Sequence, residues 1–184
     1  NPNQDLTAFG HTSWNTYLHE LGHGLGLRHP DEDPNNTAGA SNNNNQWTVM
    51  SYVAHPGEAG ESLLNQAYSL TPMVFDIQAL QELYGANLDT RTSDTTYFGA
   101  GDGSTDLEYQ YGADQMLIDG GDGVNRDVML TIWDAGGRDQ IDASDLTTRV
   151  QIDLRPGNFS TIGGLSNNVA MAAAVRSGGR IVNY

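Results

Sequence analysis

His19–His29 reads HELGHGLGLRH, and this stretch decides what the rest of the chain must provide. Residues four apart on an α-helix stand one turn above each other, so His19 and His23 aim their imidazoles to one side. His29 joins them only if the chain turns sharply after the helix, and Gly26, without a Cβ, is where such a turn costs least. Three neutral imidazole nitrogens on one ion leave a coordination position open, which belongs to catalytic rather than structural zinc. Glu20 points to the adjacent sector, beside the metal. There it can take a proton from a zinc-bound water, whose pKa falls from 15.7 to about 7, and return it to a leaving amine.

A blander reading makes the same residues an amphipathic helix with solvated histidines. Trp14, Tyr17, Leu18, Leu21 and Leu25 do recur at helical spacing, with Ser13 as the predicted N-cap and a stop near Gly26. His19 and His23 lie opposite that stripe. Against this stand Gly22, Gly24 and Gly26, each costing up to about 1 kcal/mol in a helix relative to alanine. HExxHxxGxxH is matched at every specified position, which a solvated helix does not require.

Composition narrows the metal chemistry. Zero cysteines exclude disulfides, thiolate zinc sites and cysteine nucleophiles, so zinc must be held by nitrogen and oxygen. A net charge of -15, with no lysine among the eight basic residues, disfavours a nucleic-acid partner. Acids set among glycines and asparagines suit hard divalent cations instead. No apolar run reaches bilayer length, so no membrane partner is expected. The opening NPNQDLTAFG shows no secretory signal pattern.

A second helix is predicted from Thr71 as N-cap and Pro72 at its first position to Gly85, burying Met73, Ile77, Leu80 and Tyr84. Residues 30–48, rich in Pro, Asn, Asp and Gly, read as a surface loop. Beyond residue 90 the short runs VMLTIW and VQIDL argue for strands, with a lobe boundary near Asn87–Arg91. The fragments GAGDGS (99–104) and GGDGVN (120–125) are either ordinary Gly/Asp turns or pieces of a calcium-binding repeat. His11 and His55 fit no spacing and read as surface residues.

VMSY (49–52) follows the histidine motif by about twenty residues; taken alone, Met50 is a core residue and Tyr52 a half-buried aromatic. Pro30, MSY at 50–52, LYGAN at 83–87, TRTSDTTY at 90–97, WDAGGRD at 133–139 and GNFSTIGG at 157–164 accompany it. Together these segments resemble the serralysins, bacterial metzincin metalloendopeptidases, from about Leu18 to Asn168. The resemblance implies an α+β fold: the lower part of a metzincin catalytic domain (active-site helix, Met-turn, second helix) over residues 1–88, then a β-rich lobe over 89–184 leading towards a β-roll. It implies a secreted, extracellular zinc endopeptidase acting on proteins or peptides. Met50 would lie in the turn beneath the zinc, and Tyr52 would be a fourth ligand able to swing aside and stabilise the oxyanion.

The same resemblance implies a calcium site. Arg91, Ser93 and Gly136 would ligate through carbonyls and Thr95, Asp134 and Asp139 through side chains, with Gly137 and Asp139 on a second ion. From the residues alone, Asp-x-Gly-Gly-x-Asp is a tight turn that binds a cation or binds nothing. The chain departs from the family in three ways. Ser93 stands where a glycine is usual, RIVNY lacks the glutamate expected for the second calcium, and only eighteen residues precede His19. The last leads us to expect that the N-terminal segment of the same protease, with its substrate-docking sheet, is a partner. A calcium-stabilised binding module with a vestigial protease centre is the alternative, and Glu20, useless to such a module, argues against it.

Overall fold

In the computed structural model, which describes residues 12–32, 39–58, 67–98, 117–119, 125–144, 146–172, 175–177 and 180–182, the chain is α+β. Helix α1 spans Thr12–Gly24, so Ser13 lies inside it rather than capping it. The apolar stripe is split. Leu18 is buried and Trp14 packs against both hydrophobic clusters, its Nε1–H donating to the Leu70 carbonyl at 3.0 Å, while Tyr17 and Leu21 stay 41% and 44% exposed. His19, expected on the solvated side, is buried.

Helix α2 spans Val74–Tyr84, starting later than a Thr71 cap would set it. Asp76, not Thr71, supplies the cap, its Oδ2 accepting the Met73 N–H at 2.8 Å. Thr71 turns its hydroxyl to the sheet and accepts the Thr131 N–H at 2.8 Å. Gly85 ends the helix at φ 87° as expected. Met73 and Ile77 are buried as predicted, but Tyr84 is exposed and uses its hydroxyl to donate to the Leu25 carbonyl, tying the ends of α1 and α2 together.

Strand β4 (Asn125–Ile132) organises the largest sheet. It runs parallel to β1 (Tyr68–Ser69) and β7 (Val169–Met171), with β3 (Leu117–Asp119) antiparallel beside its start and β6 (Phe159–Ser160) antiparallel to β7. A parallel pair forms from β2 (Thr96–Tyr97) and β5 (Gln140–Ile141), and β8 (Val175–Ser177) pairs with β9 (Arg180–Val182). Side chains alternate across a strand, and β4 uses this to serve two cores. Val128, Leu130 and Ile132 pack with Leu70, Tyr97, Phe98, Ile162 and Val169; Met129 faces the other way, onto Leu18, Val49, Met50, Ala67, Met73 and Leu165. Full burial of each such side chain contributes roughly 1.5–3 kcal/mol. Both clusters take residues from either side of the Asn87–Arg91 segment.

Two expectations fail for local reasons. VQIDL makes only a bridge from Gln151 to Thr161. The Asp153 carboxylate accepts the Arg155 N–H and pairs with its guanidinium, turning the chain before Pro156. The 30–48 stretch is not a surface loop throughout, because Asn44, Asn45, Gln46 and Thr48 are buried. Asn44 holds them from within, its Oδ1 accepting the Gln46 N–H and its carbonyl the Trp47 and Thr48 N–H groups. The fragments at 99–104 and 120–124, and His11, lie outside the described residues.

Candidate metal centre

Gly26, at φ 93°, makes the turn on which the site depends. Its N–H donates to the His23 carbonyl at 2.9 Å and the Leu27 N–H to the Gly22 carbonyl at 2.9 Å, the paired bonds of a Schellman closure. The chain thereby reverses, and His29 Nε2 comes to 3.1 Å from His19 Nε2 and 3.0 Å from His23 Nε2. Two nitrogens on a tetrahedral zinc at about 2.0–2.1 Å are separated by about 3.3 Å, so this spacing fits one ion with slight adjustment. Among the described residues, His19, His23 and His29 form the one group of three histidine or acidic side chains gathered closely enough to hold a metal.

Each ring is fixed from behind. His19 Nδ1–H donates to the Val49 carbonyl at 2.8 Å, and His23 Nδ1–H to the Leu27 carbonyl at 3.0 Å. His29 Nδ1 faces Glu32 Oε1 at 3.1 Å. All three partners only accept, which places the ring proton on Nδ1 and leaves the Nε2 lone pairs facing one another. A single proton on His29 Nε2 could serve one of its two close neighbours, not both. A cation serves all three.

The floor of the site is the 48–50 turn. Met50 is 1% exposed and lies so close under α1 that a Cβ on Gly22 would stand 2.5 Å from its Sδ. That close approach explains a glycine that propensity disfavours. Asp76 locks the turn to α2: Oδ1 accepts the Thr48 hydroxyl at 2.6 Å, and Oδ2 the N–H groups of Val49 and Met73 at 2.8 Å each. Burial pushes the Asp76 carboxyl up to about 6, against the opposing pull of those hydrogen bonds. Since Val49 also holds His19, this carboxylate steadies the first imidazole through one residue. Sequence reading missed it because a cap at Thr71 leaves Asp76 in the helix body; a cap at Met73 puts it at the third helical position, where acids serve caps.

Tyr52 is 70% exposed, its ring centroid 5.1 Å from that of His19 and 4.8 Å from that of His29. Glu20 is exposed on α1 next to His19. A separate cleft of about 820 Å³ lies between the 26–30 turn and α2, lined by Leu27, Phe75, Ala79 and Leu83 among others. Its lining includes His29, Thr48 and Met50 but not His19, His23, Glu20 or Tyr52. His55, expected at the surface, is buried with Nδ1 accepting the Gly57 N–H at 2.9 Å. Burial lowers its pKa and the Asn167 backbone partly opposes this, consistent with a neutral ring pinning a turn.

The seven residues of the expected calcium site also come together. Ala135 N–H donates to the Thr90 carbonyl, Gln140 N–H to that of Thr95, and Arg138 N–H to Asp94 Oδ1, laying 90–97 beside 135–142. Arg91, at φ 49°, sends its Nη1–H to the Trp133 carbonyl at 3.2 Å. Asp139 Oδ1 accepts the Thr95 N–H at 3.1 Å, Thr95 donates its hydroxyl to the Ser93 carbonyl at 3.1 Å, and Asp134 accepts from Gly136 N–H and Tyr97 hydroxyl. Gly137, at φ 122°, passes so close that a Cβ would meet the Ser93 carbonyl oxygen at 2.6 Å and Asp139 Oδ1 at 2.9 Å. Desolvation raises the Asp139 pKa; the Thr95 bond opposes this, and the charges of Asp134 and Asp94 add to it.

Residues 86–181 match the family described as peptidase M10 serralysin C terminal. The chain is 37% identical over 167 residues to serralysin C of Dickeya chrysanthemi, covering 87% of this chain and 32% of that protein. It is 38% identical over 167 residues to serralysin of Proteus mirabilis (87% and 31%) and 35% identical over 192 residues to metallopeptidase AprA of Pseudomonas marginalis (95% and 36%). It thus spans about a third of the length of these relatives. The family match starts after the histidine cluster, whereas the last comparison takes in all but about nine residues of this chain and so includes 19–29 and 52.

Proposed function

Since this chain belongs to the peptidase M10 serralysin family, we propose that it carries the hydrolytic centre of a secreted zinc endopeptidase acting on extracellular proteins. His19, His23 and His29 hold the zinc through Nε2, and Tyr52 is the fourth ligand. The observation that carries this reading is the set of three Nδ1 atoms tied to acceptors, which turns three lone pairs onto one point. Bound there, zinc would supply a Lewis acid for a scissile carbonyl and would lower the pKa of water at the site towards neutral. Glu20, exposed beside His19, would take a proton from water at the site and hand it to the departing amine. Tyr52 has few packed neighbours to displace, so its ring can swing and its hydroxyl donate to the developing oxyanion.

Within this reading residues 1–88 form the metzincin-like catalytic region and 89–184 the β-rich part. Calcium would be held by the carbonyls of Arg91, Ser93 and Gly136 with Thr95, Asp134 and Asp139; Gly137 and Asp139 would be left for a second ion, for which RIVNY supplies no glutamate. The exposed Tyr17–Leu21 edge of α1 supports packing by an N-terminal segment of the same protease. A calcium-stabilised module with a vestigial centre is the competing reading. It is favoured by a family match confined to 86–181 and opposed by the intact ligand geometry beside Glu20.

Zinc content and casein cleavage, measured on wild type and Glu20→Ala, separate the two. The variant should keep one zinc and lose about 10²–10⁴-fold in rate. Zinc binding with no cleavage by either protein would favour the module; undiminished cleavage by Glu20→Ala would remove the general base.

A further inference from the structure

We infer that Glu32 is a positioning residue for the metal centre, a carboxylate that fixes the tautomer and orientation of His29 and strengthens it as a ligand. This rests on the zinc reading above and deepens it. The three histidines are not held alike. His19 and His23 are braced by backbone carbonyls, of Val49 and Leu27, which no side-chain substitution removes. His29 sits in the 27–29 stretch outside regular structure, and its Nδ1 faces a carboxylate oxygen at 3.1 Å.

Local sequence builds that contact. Pro30 opens a single 3₁₀ turn, Pro30–Glu32, closed by the Glu32 N–H donating to the His29 carbonyl at 3.1 Å. In such a turn residues three apart eclipse, which brings the Glu32 side chain back over the imidazole. A carboxylate behind a ligating imidazole raises its basicity, and loss of such a partner typically costs 10–100-fold in metal affinity. Asp31, in the same turn and also exposed, makes no hydrogen bond or ion pair with a histidine among the described residues and provides an internal control.

The test is zinc affinity by chelator competition on the 184-residue chain, with the cobalt(II) absorption spectrum as a second readout. Glu32→Ala should weaken zinc about 10–100-fold and alter the cobalt spectrum. Glu32→Gln, which still accepts a hydrogen bond but lacks charge, should fall between, and Asp31→Ala should match wild type. Metal-free thermal stability should be unchanged in all three, since Glu32 is exposed. Equal affinity in Glu32→Ala and wild type would overturn the assignment, as would equal losses in Glu32→Ala and Asp31→Ala, which would mean general charge attraction. A wild type that takes up no zinc would instead overturn the underlying metal reading.

Discussion

Around His19, the contacts that orient the ring come from inside the packed chain, whereas around Asp139 two exposed segments do the same work for each other. His19 leans on Val49, Val49 on Asp76, and Met50 wedges beneath, all of them buried. Ser93, Gly137 and Asp139 are exposed, and the charges of Asp94 and Asp134 oppose ionisation of Asp139. The first site is braced by groups buried together with it. The second gathers acids whose repulsion a cation would relieve.

The largest effect should come from breaking the internal bracing. Asp76→Ala orphans the Thr48 hydroxyl and two buried N–H groups and should cost about 3–5 kcal/mol in urea unfolding. Below about 1 kcal/mol, the core would not be what holds the histidine site. Next comes pH. Asp76 keeps its proton in the folded chain up to about 6, against an ordinary value of 3.8. The folded state therefore binds the extra proton between these values, and its contribution to stability should decline by roughly 3 kcal/mol as pH rises from about 4 to 6. Asp76→Asn should flatten that slope; an unchanged slope would assign it to another group.

Tyr52→Phe should leave zinc content intact and lower kcat by about 10²-fold, the usual cost of one oxyanion donor. Unchanged kcat would make Tyr52 a bystander to the three histidines. The smallest effect is expected at the turn. Gly137→Ala combines a positive φ with a backbone collision and should cost about 1–3 kcal/mol by thermal denaturation. Calcium should raise Tm in wild type but much less in Asp139→Asn. No response in wild type would leave the turn a purely hydrogen-bonded device.

The difference between the two regions also tracks what was readable beforehand. The histidine site is written in eleven consecutive residues, and its one demanding step, the turn at Gly26, needs only a glycine in the right place. The helix around it and the strand at VMLTIW follow from local periodicity. Pairing of 68 with 128 and of 130 with 169 does not, because partners so distant in sequence are chosen by packing. Asp76 was hidden by a cap placed too early, and Glu32 by lying in a stretch whose Pro, Asp and Asn suggest solvent. Asn44–Thr48 misled for the same reason, since a polar run can be interior when it satisfies its own hydrogen bonds.

The sulfur of Met50, lodged where Gly22 leaves no side chain, makes this chain a timekeeper of its own opening. Sulfoxide formation needs room for an added oxygen beside the sulfur, and the contact with Gly22 leaves little while helix and turn stay together. In dilute peroxide the rate at which Met50 gains mass should therefore follow how often the two part company.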